Sequence, residues 1–522
     1  METSQRQVAR AAALVMAAFA VSRLLGLVRQ VVFGAYYGTG PEMDAYVAAV
    51  SIPDAIFLVV AGGALGSAFI PLFTGRLARG EAASAWRLAS AVVTLLVLLV
   101  APVSLLCILF APWLVDVVVA PALSPDVQAR TVALMRVMLL SPTIFGVSGV
   151  VMGALNAHQH FLLPAVAPIV YNVGLIAGAL WGGLTPVGAM GASIGMVAGA
   201  VGHLLVQVPG LRRYGARFRP TLGRGDPGVR EVGRLIMPRI LGMAAAQINI
   251  IVTRNLASRQ GPGAISTLEY AWRIMLLPQG IFAQAVGTAV FPTFAQQAAL
   301  GQTDALRTTL INALRTLIAL TVPASVGMVL LGEPLVTLLF ERGAFHEDST
   351  RAVAWALGFF AVGLVGHSAL EILGRAFYAL QDTWTPAGAA TVSVVLNGLL
   401  GLALPPLFGR LGLLPLGGLA LATALAALVE MSILLVLIRA RLGALKGREL
   451  AATTLRVLLA SAGMGAVLWA MRAVGAGQNR AALLQAVIGV PVGVLVYGLL
   501  AWLMGVEQLR SAVRTVFGRV QG

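Results

Sequence analysis

Gly153-Ala-Leu-Asn-Ala-His-Gln-His-Phe-Leu-Leu-Pro164 returns far along the chain as Arg375-Ala-Phe-Tyr-Ala-Leu-Gln-Asp-Thr-Trp-Thr-Pro386, with Ala157, Gln159 and Pro164 recurring as Ala379, Gln381 and Pro386. Self-similarity at a long fixed offset marks a duplicated architecture. The echo extends to both sides. Ser22-Arg-Leu-Leu-Gly26 resembles Pro238-Arg-Ile-Leu-Gly242, Pro53 and Phe57 match Pro278 and Phe282, and Phe69-Ile-Pro71 matches Val290-Phe-Pro292. All of these pairs share nearly the same separation along the chain.

The two copies sit in a chain whose solvent must be lipid. Of its 522 residues 59% are hydrophobic and only 11% charged, and the mean hydropathy is +0.90, outside the range of a water-soluble domain. Apolar runs of about 20 residues, each able to cross a ~30 Å hydrocarbon core as a helix, recur from end to end. The short alternating segments of a membrane β-barrel are absent. We expect spans near 11–36, 44–73, 87–110, 130–155, 162–182, 187–208, 233–257, 265–295, 310–331, 352–379, 385–404, 413–438, 453–471 and 482–504.

The predicted fold is therefore an all-α polytopic membrane protein of about 14 transmembrane helices. Six spans per copy is an even number, so both copies keep one orientation and are related by a pseudo-two-fold axis along the membrane normal. The expected organisation is an N-terminal lobe over 1–208, a basic linker over 209–232, a C-terminal lobe over 233–438, and an appended helix pair with its tail over 439–522. Two six-helix lobes around a central cavity follow.

The formal charge of +16 belongs to topology. No soluble basic domain or aromatic-basic interleaving supports a nucleic-acid partner, whereas arginines crowd the segments that an inward amino terminus places in the cytoplasm, above all Arg212, Arg213, Arg217, Arg219, Arg224, Arg230 and Arg234. The positive-inside rule then puts both termini in the cytoplasm of a multi-pass bacterial inner-membrane protein. The first apolar run contains Arg23 and Arg29 and lacks a small-x-small cleavage site, so it is not read as a signal peptide.

Ionisable groups inside spans are expensive in lipid and mark candidate sites, with structural pairing as the competing account. Arg23 and Arg29 lie about 120° apart on a helical wheel, able to flank a cavity without stacking. Arg239 and Arg273 occupy the other copy, so basic groups from both halves are expected to face one space. The arginine fork suits phosphate because it donates bidentate hydrogen bonds and stays charged when partly desolvated. Arg239, near the end of its span, is the weaker candidate. Asp44 and Glu269 open equivalent spans and read as partners or gates for these arginines, or as solvated helix starts. Glu371, Arg375 and Glu430 read as an interhelical set, and Asn172, Gln247, Asn249 and Asn397 as amides stitching helices.

His158 and His160 have no companion ligands, Cys107 is a lone thiol in an apolar run, and no metal site or cofactor is expected. Neither a phosphate-binding Gly-Lys-Ser/Thr loop nor a Ser/His/Asp set nor a Mg²⁺-holding acidic cluster is legible, which argues against an enzyme or an ATP-driven pump.

The string Ser22-Arg-Leu-Leu-Gly-Leu-Val-Arg29, followed by Asp44-Ala-Tyr and Ile52-Pro53, resembles the MviN/MurJ family of lipid II flippases. Ala271-Trp-Arg-Ile-Met-Leu-Leu-Pro278, Gly287-Thr-Ala-Val-Phe-Pro292, Leu339-Phe-Glu-Arg-Gly343 and Arg375-Ala-Phe-Tyr-Ala-Leu-Gln-Asp382 resemble its later motifs in order, over essentially the whole chain. The resemblance implies the multidrug/oligosaccharidyl-lipid/polysaccharide exporter fold and transfer of the undecaprenyl-diphosphate-linked peptidoglycan precursor, lipid II, to the outer leaflet. It implies a diphosphate-binding role for Arg23, Arg29 and Arg273, a gate or cavity role for Asp44, and a lipid-tail groove on the final helix pair. Partners would be lipid II, membrane lipids and cell-wall synthesis proteins. The chain departs from the family pattern at Phe57 and Leu58, where an arginine is common, and at Gln30 and Trp272, where acidic residues are common. The rival readings are an exporter of another lipid-linked oligosaccharide or a drug, a membrane-embedded glycosyltransferase or lipid phosphatase, and a non-transporting scaffold.

Overall fold

A computed structural model of the chain describes residues 2–61, 64–443, 447–474 and 479–508. Helices carry most of these residues, joined by short turns and by one longer irregular segment over 214–226. They are α1 (Glu2–Tyr37), α2 (Pro41–Ala61), α3 (Ala64–Ala78), α4 (Ala82–Leu109), the short α5 (Ala111–Trp113) running into a π-helical turn at Leu114–Val119, α6 (Pro125–Met138), α7 (Ser141–Ala157), α8 (Leu162–Leu184), α9 (Ala189–Leu205), α10 (Val208–Arg213) and α11 (Pro227–Ser258). Then follow α12 (Ala264–Ala299), α13 (Thr303–Phe340), α14 (Glu347–Ala379), α15 (Trp384–Arg410), α16 (Leu416–Leu442), α17 (Gly447–Val474) and α18 (Asn479–Leu503). Helix is the form an apolar chain takes in lipid, because it satisfies every backbone group within the segment.

Among the described residues, twelve helical stretches are long and apolar enough to cross a membrane. The expected spans 44–73 and 233–257 are not among the twelve; they coincide with α2–α3 and α11. Large side chains remain bare on the outside of the helices, among them Leu495 at 71% and Val436 at 67% exposure, as a lipid-facing surface requires. Prolines sit inside α4, α8, α12, α13, α15 and α18, a placement that membrane helices tolerate.

The chain divides into two compact units, one comprising Met1–Ile265 with Arg342–Phe345 and the other Ser266–Glu341 with His346–Gly522. In the first unit α3, α4 and α7 close around Phe69, Phe73, Trp86, Leu88 and Leu155. Beside them α8 and α9 approach backbone to backbone. A Cβ on Gly178 would come within 2.6 Å of Gly195 Cα, and one on Gly174 within 2.6 Å of Gly199 Cα. Only glycines at this spacing allow so close a crossing.

In the second unit Ile372, Leu373 and Phe377 of α14 pack with Leu310 and Leu314 of α13 and Leu434 of α16. The final pair, α17 and α18, lies against α13 through Val457, Met464, Tyr497 and Ala501 around Ala319 and Val322. The Tyr497 hydroxyl donates to the Ala319 carbonyl at 2.6 Å.

The duplication has a structural signature. Among the described residues, the non-glycine positions with left-handed φ are Gln159 (58°) and Gln381 (59°), the pair matched by sequence. Each terminates a helix with the same wrapped-back bonds: His160 N–H to Leu155 O and Asp382 N–H to Phe377 O, both 2.9 Å. Gly80 and Gly301, separated by the repeat offset, are likewise both left-handed.

Candidate functional site

Arg29 and Arg23 both lie on α1, within the apolar stretch Leu14–Tyr37. Asn172, on α8, is buried and orients Arg29: its carboxamide oxygen accepts from Arg29 Nη1 at 3.1 Å. The same amide donates through Nδ2 to Pro168 O at 3.0 Å and to Ser22 O at 3.5 Å. One side chain therefore ties α8 to α1 and aims a guanidinium. Arg23 is exposed and has no hydrogen-bond or ion-pair partner among the described residues.

Asp44, in the first turn of α2, is fully buried and accepts from the Gly263 backbone N–H at 2.6 Å. It is therefore not a solvated helix start. Its neighbour Glu42 accepts from Ala189 N–H at the start of α9 at 2.7 Å, an anion set at a helix amino terminus.

In the second unit Glu269 and Arg273 form an i,i+4 ion pair on α12 at 2.6 Å. Glu371 and Arg375 form another on α14 at 3.4 Å. The set does link two helices, but not through this ion pair, which is internal to one helix. What crosses to α12 is neutral: Gln284 donates to Glu371 at 2.8 Å and accepts from Arg375 at 3.2 Å, while Arg375 donates to the Thr288 hydroxyl at 3.1 Å. Gly287 makes room, since a Cβ there would sit 3.0 Å from the guanidinium. Asn397, buried on α15, accepts from the Thr423 hydroxyl of α16 at 3.2 Å, so this amide does stitch helices. The Arg239 side chain lies outside the described residues.

Two polar groups escaped the sequence reading. Arg254, buried in α11, donates to the Ser51 hydroxyl at 2.6 Å. It follows Arg29 at the same separation at which Asn397 follows Asn172, so the repeat offset was the available signal. The second is a buried network in which Ser148 Oγ meets His203 Nδ1 at 2.7 Å and receives Gln207 Nε2 at 2.8 Å. Nothing in the local sequence of α7 or α9 announces it.

Where the family pattern would place a cation, Phe57 packs its ring on Phe145 at 4.9 Å, and Phe145 in turn meets Tyr171 and His203. Trp272 packs on Phe360 and His367. Aromatic packing thus occupies two of the departures. Among the described residues no group of three or more His, Cys, Asp or Glu is placed to hold a metal.

Comparison with known proteins shows the family. The sequence model of the lipid II flippase MurJ family matches residues 33–488. A probable lipid II flippase MurJ of Rhizobium tropici is 30% identical over 453 residues, covering 86% of this chain and 84% of the relative. One of Thermotoga maritima is 29% identical over 494 residues, 94% and 96% of the two chains. A solved lipid II flippase MurJ in an inward closed conformation superposes with a TM-score of 0.80 at 25% identity, over 96% of this chain and 100% of that one. An inward-facing MATE multidrug transporter of the MOP superfamily shares the fold, with a TM-score of 0.68 at 16% identity, over 82% of this chain and 96% of that one. A polytopic helical chain with a duplicated turn, arginines inside its first span and a family match over most of its length is a member of the MurJ family of lipid II flippases.

Proposed function

We propose that this chain moves lipid II, the undecaprenyl-diphosphate-linked peptidoglycan precursor, from the cytoplasmic to the outer leaflet by alternating access. The observation that carries this reading is Arg23, a guanidinium in the middle of an apolar helix with no carboxylate partner among the described residues. Such a charge costs about 2.5–3.5 kcal/mol or more at the centre of a bilayer unless water or an anion compensates it. A diphosphate cargo supplies that anion. Only the head group needs shelter, while the polyprenyl tail stays in lipid throughout.

In this reading Arg23, Arg29 and Arg273 bind the diphosphate, Arg239 is a weaker participant, and Asp44 is the gate carboxylate. Residues 1–208 and 233–438 are the repeated lobes, 209–232 the linker, and 439–522 the pair that guides the lipid tail. Both termini face the cytoplasm, and cell-wall synthesis proteins receive the product. The protein acts as a carrier and makes or breaks no bond in its cargo, because release needs only weaker binding in the outward state.

The test is complementation in a flippase-depleted cell, reading labelled lipid II on the outer surface. Arg23→Ala and Arg273→Ala, expressed at wild-type level, are expected to abolish delivery. Full delivery by both would overturn the binding assignment. No delivery by the wild type would overturn the substrate.

A further inference from the structure

Resting on the cytoplasmic orientation adopted above, we propose that the first unit carries a separate binding site for the phosphate head group of an anionic glycerophospholipid. It lies where the α3–α4 turn meets the segment from Tyr214 to Asp226. Two adjoining cavities of about 750 and 630 Å³ open there and share Arg87 and Thr221 on their walls.

The segment is irregular but fixed. Its backbone lies along α4, with Arg219 N–H donating to Ser90 Oγ at 3.1 Å and Thr221 N–H to Thr94 Oγ1 at 3.2 Å. Its far end is clasped, since Arg76 on α3 donates through Nη1 to Asp226 at 2.8 Å and pairs with it again through Nη2. Its near end is held by Tyr214, whose ring stacks on His158 at 4.3 Å. A site built on this segment is thus formed before any ligand arrives.

Six arginines line the two cavities: Arg76, Arg79, Arg87, Arg217, Arg219 and Arg224. The carboxylates on their walls are Glu81 and Asp226. Both are taken, Asp226 by Arg76 and Glu81 by Arg79 at 3.0 Å. That leaves Arg87, Arg217, Arg219 and Arg224, none of which has a side-chain hydrogen bond or ion pair among the described residues. Four such forks around one trough form an anion site, and the planar guanidinium favours phosphate.

The equivalent turn of the second unit shows that this is no general property of the fold. There Arg307 is already paired with Asp304 and also donates to Leu442 O.

A lipid source is favoured over a soluble one by what stands between the arginines. Phe218 and Leu222 alternate with Arg217, Arg219 and Arg224 and are 39% and 37% exposed. Apolar side chains interleaved with cations fit the boundary between head groups and acyl chains, where each basic residue adds attraction to an anionic leaflet.

The test uses the full chain in phosphatidylcholine nanodiscs doped with phosphatidylglycerol bearing brominated acyl chains. Trp86, on the wall of the smaller cavity, is the fluorophore, and a Trp86→Phe variant subtracts the other tryptophans. Quenching is expected to saturate at low phosphatidylglycerol fraction. The exposed triple variant Arg217→Gln/Arg219→Gln/Arg224→Gln should need on the order of tenfold more lipid. Superimposable curves would overturn the site. Displacement of the brominated lipid by millimolar glycerol phosphate would overturn the lipid assignment in favour of a soluble phosphate.

Orientation is read separately by Arg219→Cys in a Cys107→Ala background. Labelling by an impermeant maleimide only after permeabilisation supports the leaflet assigned. Labelling in intact cells overturns the orientation, whatever the nanodiscs report.

Discussion

Replacing Asn172 by aspartate changes one atom of the site and should separate folding from transport. In the native protein the carboxamide oxygen lies 3.1 Å from Arg29 Nη1, a bond that aims the guanidinium without neutralising it. A carboxylate in the same place adds a full ion pair. Two unit charges about 4 Å apart attract by roughly 4 kcal/mol at an effective dielectric of about 20. Desolvation and the partial exposure of Arg29 leave about a third to a half of that as net gain, about 1–2 kcal/mol. At about 1.4 kcal/mol per factor of ten, a phosphate competing for that guanidinium, as the proposed binding role requires, should bind roughly five- to thirtyfold more weakly. Asn172→Asp also turns the Nδ2 donor to Pro168 O and Ser22 O into an acceptor, a loss of about 1–2 kcal/mol that offsets the ion pair, so it should melt close to the wild type yet deliver lipid II poorly. Asn172→Ala should melt earlier, losing about 0.6–2 kcal/mol of α1–α8 attachment. The assays are thermal unfolding in detergent and outer-leaflet lipid II in a depleted cell. Delivery by Asn172→Asp at the wild-type rate and wild-type abundance would refute the reasoning.

Gly178→Val, which forces a side chain against Gly195 Cα at 2.6 Å, should cost several kcal/mol and remove folded protein from the membrane; Gly26→Ala, with nothing within 4 Å, should leave fluorescence-detected expression unchanged. Glu371→Ala strands Arg375 between α14 and α12, so melting should fall further in that single variant than in Glu371→Ala/Arg375→Ala, a sign a double-mutant cycle reads directly. Arg76 holds the Asp226 carboxyl below the usual carboxylate range, with the Gly228 N–H adding to the effect against the opposing pull of burial. Its stabilisation is therefore complete above the unfolded value near 3.9 and is lost as pH falls through the depressed one. Protection against hydrogen exchange over 214–226, measured relative to the intrinsic rate at each pH, should fall in acid, and Asp226→Asn should show the lower protection already at neutral pH.

Periodicity and composition made the helices legible, and the repeat paired Gln159 with Gln381, the two residues at which equivalent turns are found. Gln159 and Gln381 stand out because a left-handed helix stop followed by proline leaves a local sequence mark, and local marks survive duplication. Contacts across sequence leave no such mark. Asn172 read as one stitching amide among four, and only packing of α8 on α1 singles it out as the residue that aims Arg29. Glu371 and Arg375 read as an interhelical set and they do reach α12, but their charges pair on one helix at i,i+4, and the partners across are Gln284 and Thr288, which carry no charge to draw notice.

The same limit explains the arginines of the linker. In sequence Arg212 to Arg234 is a run of positive charge, and a run of charge is ordinarily a solvated face. Its division into two classes comes from backbone tethering. Arg76 is spent on closing the segment through Asp226, while Ser90 and Thr94, two inconspicuous hydroxyls on α4, fix the register that leaves Arg217, Arg219 and Arg224 with no carboxylate partner among the described residues. A charge whose partner is missing from the fold is a stronger pointer to a ligand than charge density itself. Arg23 in the apolar stretch of α1 and the linker arginines meet that criterion for the same reason, which is why a phosphate is proposed for each.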